Sequence, residues 1–315
     1  MKLLIRPAPE VAIKSKPVRR QQMRHLRQNI RKLLARLDPE IRVEGSWDRV
    51  DVAVPDGRSL SGPVIEALLR IPGISTIQEI GAFPFVSLED VAEKAVAAFS
   101  ERLNGKTFAV RARRHGEHSF RSIDLERTVG AALMQASGAR GVDLKSPEVE
   151  VRIEVHGDQF HIAHRRHRGL GGYPLGSVEN VLTLISGGYD SSVAAYLMMR
   201  RGLRSHFLFF NLGGTAHEVG VRQVVHYLWD RYGASHSAKF ISVPFEGVVA
   251  EIMRSVNHRH WGVVLKRQML MAAAEIARKN NSVGVVTGDA VAQVSSQTLS
   301  NLNVVDRASD EVVLR

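Results

Sequence analysis

The sequence predicts an α+β first half followed by an α/β second half built on a doubly wound parallel sheet. Three observations carry this. Over residues 1–80, short alternating strands and amphipathic helices read as a small α+β unit. After residue 177, strands and helices alternate, the pattern of a parallel sheet with helices on both faces. That alternation begins with an apolar strand, Val181–Ile185, a Ser186-Gly187-Gly188 turn, and helical spacing from Ser191 through Val193, Tyr196, Leu197 and Met198.

In the first half, Pro17 sits where a first helical turn tolerates it. Met23, Leu26, Ile30, Leu33, Leu34 and Leu37 then recur at spacings of three and four, the mark of a buried stripe. Val50–Val54 alternates as a strand, Leu60–Ile71 reads as a helix and Ile74–Ile80 as a strand. Ser87 caps a helix to Leu103 carrying Val91, Ala95 and Phe99. Phe108–Arg113 is a strand with Arg111 and Arg113 on its outer face, and Asp124–Gln135 is a helix with Leu125, Val129 and Leu133. Val149–Val155 and Gln159–His164 form a hairpin around Gly157-Asp158. Domain limits are expected at 1–60, 61–166 and 167–315.

In the second half, strands are expected at 178–185, 205–210, 239–243 and 282–287, with helices at 191–201, 217–232, 248–254 and 263–279. Ligands of such sheets sit beyond the strand C-termini. Ser186–Ser191, Phe209–Gly214 and Thr287–Asp289 fall on that edge.

The chain of 315 residues has no cysteine, which removes disulfides, thiolate zinc sites and a thiol nucleophile from within it. No apolar run approaches the roughly 18 residues of a membrane span, and the first residues are too short an apolar run for a signal peptide. A soluble, cytoplasmic protein without membrane contact is the expectation. The net charge is +11. Residues 1–60 hold 14 Lys/Arg against 7 Asp/Glu, whereas residues 61–166 are balanced at 14 and 14. Between Lys14 and Arg36 stand nine basic residues and no acid. A merely solvated helix usually mixes signs for i,i+4 pairing, so Arg20, Arg24, Arg27, Arg31 and Lys32 point to a polyanion such as RNA. Four of the 13 histidines cluster at 156–167, but Arg165, Arg166 and Arg168 oppose a metal there.

A helix start preceded by Gly-Gly offers free N–H groups and a positive dipole end, which suits phosphate. The turn is not a Walker loop, since no Gly-Lys-Ser/Thr closes it. Its residues, SGGYDSS, resemble the S-G-G-x-D-S signature of PP-loop ATP pyrophosphatases, which cleave ATP between the α and β phosphates and leave an adenylated substrate. Upstream, Phe108–Arg111, Arg114, His118–Ser122 including Arg121, Leu125–Gly130, Val142–Leu144, Pro147 and Gly169–Pro174 resemble the THUMP domain, an RNA-binding module. For each arginine there a structural role is equally open. With a THUMP-like unit before a PP-loop, the whole chain is similar to the tRNA 4-thiouridine synthetase family. Phe210–Gly214, His217–Gln223, Gly262–Arg267 and Val294–Thr298 support this. Asp289 stands where that family usually has Glu, and Ala292 where it usually has Gly. The family also continues past a run like Val312–Arg315, with further sheet elements and a cysteine-bearing loop, so the chain is expected to be shortened.

The resemblance implies an N-terminal ferredoxin-like domain, a THUMP domain and a PP-loop domain. It implies a tRNA sulfurtransferase that adenylates O4 of uridine 8 with ATP, a persulfide then displacing AMP, with a link to thiamine thiazole synthesis. Leu184, Ile185, Phe209 and Phe210 would hold adenine; Ser186, Gly187, Gly188, Ser191, Ser192 and Lys266 the phosphates; Gly288 and Gln297 match nucleotide contacts, although Gln297 equally suits a buried amide. Asp190 would be catalytic through Mg²⁺, or simply a helix N-terminal acid. Implied partners are tRNA, a cysteine desulfurase, a thiamine-pathway sulfur carrier and a second copy in a homodimer. Two other readings stay open: a tRNA- and ATP-binding fragment without complete catalysis, and a PP-loop ligase acting on a small molecule.

Overall fold

The computed structural model describes residues 2–55, 60 and 62–315. The first half runs β1 (Lys2–Pro7), α1 (Pro9–Ala12), α2 (Lys16–Leu34), β2 (Arg42–Gly45), β3 (Val50–Ala53), α3 (Gly62–Leu69), β4 (Ile74–Pro84), α4 (Leu88–Leu103), β5 (Thr107–His115), α5 (Ser122–Ala136), β6 (Gly141–Val142), β7 (Val149–His156) and β8 (Gln159–Arg168). Its eight strands form one sheet in the order β2-β3-β1-β4-β8-β7-β5-β6.

Two cores lie under that sheet. In the first, Met23, Leu26, Ile30 and Leu34 of α2 pack on Leu3, Ile5, Val50 and Val52. The expected stripe is therefore real, except that Leu37 lies beyond the helix end and is half exposed. In the second, Phe99 and Leu103 of α4 and Leu125, Val129 and Leu133 of α5 cover Phe108, Val151 and Ile153. Ser87 caps α4 as expected, its hydroxyl accepting from the Asp90 N–H at 3.2 Å. Strand β4 joins the two units, because it pairs with β1 over Ile74–Ile80 and with β8 over Thr76–Pro84. Val64, Leu68, Ile71, Ile74 and Ile77 belong to the first core. These residues, which follow the limit expected at 60 and 61, thus pack with the first unit (residues 56–59 and Ser61 lie outside the described residues). Arg165–Arg168 continues β8 as strand; the link to the second half is the glycine-rich run after it. There Gly172, at φ +78°, runs so close to α6 (Tyr189–Arg200) that a Cβ would sit 2.1 Å from the Arg200 carbonyl. The buried Asn29 side chain donates to the Leu175 carbonyl at 2.9 Å, tying α2 to the same link.

The second half runs β9 (Asn180–Leu184), α6, β10 (Arg204–Asn211), α7 (Thr215–Leu228), β11 (Phe240–Pro244), α8 (Glu246–Ser255), α9 (Trp261–Lys279), β12 (Gly284–Val286), α10 (Leu299–Asp306) and β13 (Val312–Leu314). All five strands are parallel, in the order β11-β10-β9-β12-β13. Alternation along β10 sends Phe207 and Phe209 under α6 and α7, and Leu208 and Phe210 under α9 and α10. The sheet is covered on both faces, as the strand–helix alternation predicts. From β9 the chain moves outward to β10 and β11, then returns to the other side with β12 and β13. The strand order reverses between β9 and β12, and open α/β sheets hold ligands in the crevice at such a point. Among the described residues no helix is long and apolar enough to cross a membrane.

Candidate nucleotide-binding site

A cavity of about 400 Å³ opens at that reversal, at the C-terminal edge of the parallel strands. Its floor is the exit of β9. Strand β9 is apolar and buried, and its last contact is the Ile185 N–H donating to the Leu208 carbonyl at 2.9 Å. The chain then turns through Gly187 at φ +83°, where a side chain would be strained and would press on Val221. Gly188 is the N-cap of α6. Ser191 Oγ lies 3.2 Å from Ser186 Oγ and donates to the Gly188 carbonyl at 3.2 Å, and Ser192 Oγ donates to the same carbonyl at 2.8 Å. The hydroxyls that the sequence offers to phosphate are therefore first of all the staples of the turn. Gly187 and Ser192 do not line the cavity; Ser186, Gly188, Asp190 and Ser191 do.

The loop after β12 closes against this turn. A Cβ on Gly288 would sit 2.5 Å from the Ser191 backbone nitrogen, so only glycine allows the approach. The next residue, Asp289, accepts from Lys266 Nζ at 2.5 Å and from Gln297 Nε2 at 2.9 Å. Burial pushes the Asp289 carboxyl up, and the hydrogen bonds from Lys266 and Gln297 outweigh it, leaving the group below the usual carboxylate range. Gln297 is buried and also accepts from the Val294 N–H at 3.1 Å, so it is both a satisfied amide and a cavity residue. Four residues earlier, Gln293 donates to Asp190 Oδ2 at 2.9 Å. Two glutamines of one loop thus hold two carboxylates from different elements. Ala292, immediately before Gln293, has φ +64°, a left-handed conformation that favours glycine.

The apolar wall is Leu184, Ile185, Phe209 and Phe210, with the two phenylalanines reaching it from opposite faces of the sheet. His217 meets Phe209 edge-on at 5.1 Å between ring centres, and its Nε2–H donates to the Ser186 carbonyl at 3.2 Å. Glu218, next to it, accepts from Ser242, Arg222 and Asn211, in that order the main causes that hold its carboxyl below the usual range. Asn211 Oδ1 in turn accepts from the Gly213 and Gly214 N–H groups, which fixes the loop behind Leu212. Sequence reasoning left His217 and Gln293 without a role, placed Asp289 on the ligand edge without naming its partners, and did not place Arg315 in the cavity. Arg315 pairs with Asp306.

The basic surface divides in two. Arg20, Arg24 and Lys32 are exposed on α2, and Arg113 on β5; among the described residues none of their side chains has a hydrogen bond or ion pair. The other expected RNA residues spend their guanidinium groups on the protein. Arg27 donates to the Gly45 carbonyl at 2.7 Å and Arg31 to the Val43 carbonyl at 2.9 Å, fastening α2 to β2. Arg111 donates to the Leu144 carbonyl, Arg114 lies over the Phe120 ring at 5.5 Å, and Arg121 bonds Asp124 at the start of α5.

Residues 2–77 match the ThiI ferredoxin-like domain, residues 85–165 the THUMP domain and residues 176–315 the model described as thiamine biosynthesis protein (ThiI). The two ThiI models together cover more than half of the chain. The chain belongs to the ThiI family. This ThiI-family chain is 84% identical over all its 315 residues to a tRNA sulfurtransferase of Marinobacter nauticus, and 52% identical to one of Pseudomonas aeruginosa. It spans 65% of the length of each of these curated relatives. Its fold superposes on a 4-thiouridine synthetase crystallised with RNA and ATP at a TM-score of 0.86 and 24% identity, covering 100% of this chain and 80% of that one. It also superposes on PH1313 of Pyrococcus horikoshii at 0.73 and 20% identity, covering 99% and 93%. The ferredoxin-like, THUMP and PP-loop organisation expected from the sequence is the one found.

Proposed function

We propose that this chain is the tRNA-binding, ATP-consuming part of a tRNA sulfurtransferase that makes 4-thiouridine at position 8. The observation that carries this reading is the junction of the Ser186–Ser191 turn with Gly288 at the reversal of strand order, with Lys266 on the same cavity. The names of the relatives at 84% and 52% identity supply the substrate class.

A carbonyl oxygen is a poor leaving group, and adenylation converts it into a better one. Uridine O4 attacks the α-phosphorus of ATP, pyrophosphate leaves, and a sulfur nucleophile later displaces AMP from C4. The leaving pyrophosphate carries high negative charge, which the free N–H groups at the start of α6 and the ammonium of Lys266 are suited to receive. Lys266 would exchange Asp289 for phosphate, with Asp289 keeping it aimed at the cavity beforehand. Leu184, Ile185, Phe209 and Phe210 give adenine an apolar wall. Asp190 fits a hard cation: its carboxylate is exposed on the cavity wall and, among the described residues, is bonded only by the neutral Gln293 amide. Mg²⁺ held there would neutralise charge on the triphosphate. Arg20, Arg24, Lys32 and Arg113 would carry tRNA phosphates. A cysteine desulfurase is the proposed source of the sulfur. A sulfur carrier of thiamine synthesis, a homodimer and a cytoplasmic location complete the proposal.

The test is the product of ATP cleavage with tRNA present. AMP and pyrophosphate support α–β cleavage, whereas ADP and phosphate contradict it.

A further inference from the structure

A second cluster of chemistry-bearing side chains lies on the eight-stranded sheet, remote in sequence from the PP-loop. Pairing of β5 with β7 sets His115 beside His156, and pairing of β7 with β8 sets Glu154 beside His161. Alternation along β7 turns Ile153 and Val155 into the core under α4 and α5, and Glu154 and His156 to the opposite face. Register therefore gathers three imidazoles and a carboxylate at one end of the sheet, beside the Gly157 turn. The His115 and His156 rings stack at 4.3 Å, and His161 lies 5.3 Å from His156. His156 Nε2 is 3.5 Å from Glu154 Oε2, and one ligand atom from each of His115, Glu154 and His156 lies within 4.8 Å of the others.

We infer that His115, Glu154 and His156, with His161 within reach as a fourth ligand, form a surface site for a divalent transition metal of the zinc class. Tetrahedral zinc with bonds of about 2.0–2.1 Å needs ligand atoms about 3.4 Å apart. The His156–Glu154 pair already has that spacing. The remaining separations close by side-chain rotation, which is cheap at an exposed position such as His115. Among the described residues neither the His115 ring nor the His161 ring has a hydrogen-bond partner, so the only contact a metal would replace within the cluster is that of His156 with Glu154. Imidazole selects zinc, copper or nickel over magnesium, so this site is chemically distinct from one at Asp190.

The opposing charges are local and known. Arg113 stands in register with Glu154, and Lys2 and Arg49 face His161. Arg152, on the same face, is paired with Glu150. The arginines at 165, 166 and 168 lie further along β8, beginning about 13 Å from His161 at strand rise. They do not crowd the site, although in sequence they adjoin the same histidine-rich run. His164 and His167 of that run are engaged elsewhere, against Phe99 and with Glu79.

The full chain, stripped with chelator, is titrated with Co²⁺ while its visible absorption is read, then with Zn²⁺ in competition and Mg²⁺ as counter-probe. The expected result is one Co²⁺ per chain, displaced by Zn²⁺ and indifferent to Mg²⁺. His115→Ala and His156→Ala should each weaken Co²⁺ binding by about tenfold or more, the loss that even the partner of a ligand can cause. His258→Ala, an exposed histidine outside the cluster, should leave it unchanged. Thermal denaturation of each variant separates lost ligation from lost folding. Absence of the absorption band, or a band that persists in folded His115→Ala/His156→Ala, overturns the site.

Discussion

Gly288 lies against Ser191 so closely that a β-carbon on it would be 2.5 Å from the Ser191 backbone nitrogen. The contact joins the exit of β12 to the start of α6 and makes one cavity from two loops. Gly288→Ala must push them apart, and overpacking of this kind costs about 1–3 kcal/mol. Pyrophosphate release should fall by at least about tenfold, the equivalent of 1.4 kcal/mol, while tRNA affinity holds. Activity and melting temperature both unchanged in Gly288→Ala would show that the loops part freely.

His236 provides a pH signature. Its pKa is lowered to about 4, first by burial, then by the positive charges of Arg204 and Lys32. A Cβ on Gly176 would sit 2.6 Å from its Nε2, so the ring fills the space beside the link. The unfolded chain binds this proton at the ordinary value near 6.5, the folded chain only near 4. The contribution is thus complete above about 6.5 and is lost as pH falls towards 4. Denaturation midpoints across this window should fall with pH in the wild type and fall less steeply in His236→Gln. Parallel curves would contradict the assignment.

The two classes of arginine should separate experimentally. Arg24→Ala should weaken tRNA binding and lower the log–log salt slope by about 1, with the melting temperature preserved. Arg27→Ala and Arg31→Ala each remove a bond to a β2 carbonyl and should cost about 1 kcal/mol of stability. Filter binding over a salt series, with thermal melts of the same variants, distinguishes these outcomes. Equal salt slopes across all three variants would erase the distinction.

Sulfur transfer should fail in this chain by itself. A persulfide relay needs a thiolate, and there is no cysteine. With a cysteine desulfurase and cysteine, 4-thiouridine absorbance should not develop, whereas free sulfide should attack the adenylated C4 directly. Efficient thiolation in the desulfurase arm, with sulfide scavenged, would show that the partner hands persulfide straight to tRNA.

Much of this was legible because it is local. The apolar β9, the glycine turn and the first turn of α6 are consecutive, and the alternation after residue 177 carries the parallel sheet. What was missed depends on pairing between distant segments. Arg27 and Arg31 look free until β2, a strand of four residues with one buried side chain, brings the Gly45 and Val43 carbonyls to them. A limit between the first two units is hard to read because β4 pairs with strands of both. Gln293 acquires a role only when the loop after β12 folds onto α6, and His217 only when α7 docks beside Ser186. The left-handed Ala292 has the backbone of the glycine that the family resemblance leads one to expect there.

Asp190 tests the central claim most directly. It stands in the first turn of α6, exposed on the cavity, with Gln293 as its hydrogen-bond donor. The measurement is tRNA-dependent pyrophosphate release by Asp190→Ala, alongside the variant's tRNA affinity and melting temperature. If the carboxylate serves the triphosphate and its cation, release drops to background while affinity and melting temperature stay near wild type. Full pyrophosphate release in Asp190→Ala would reduce the residue to a helix-terminal acid and contradict the account.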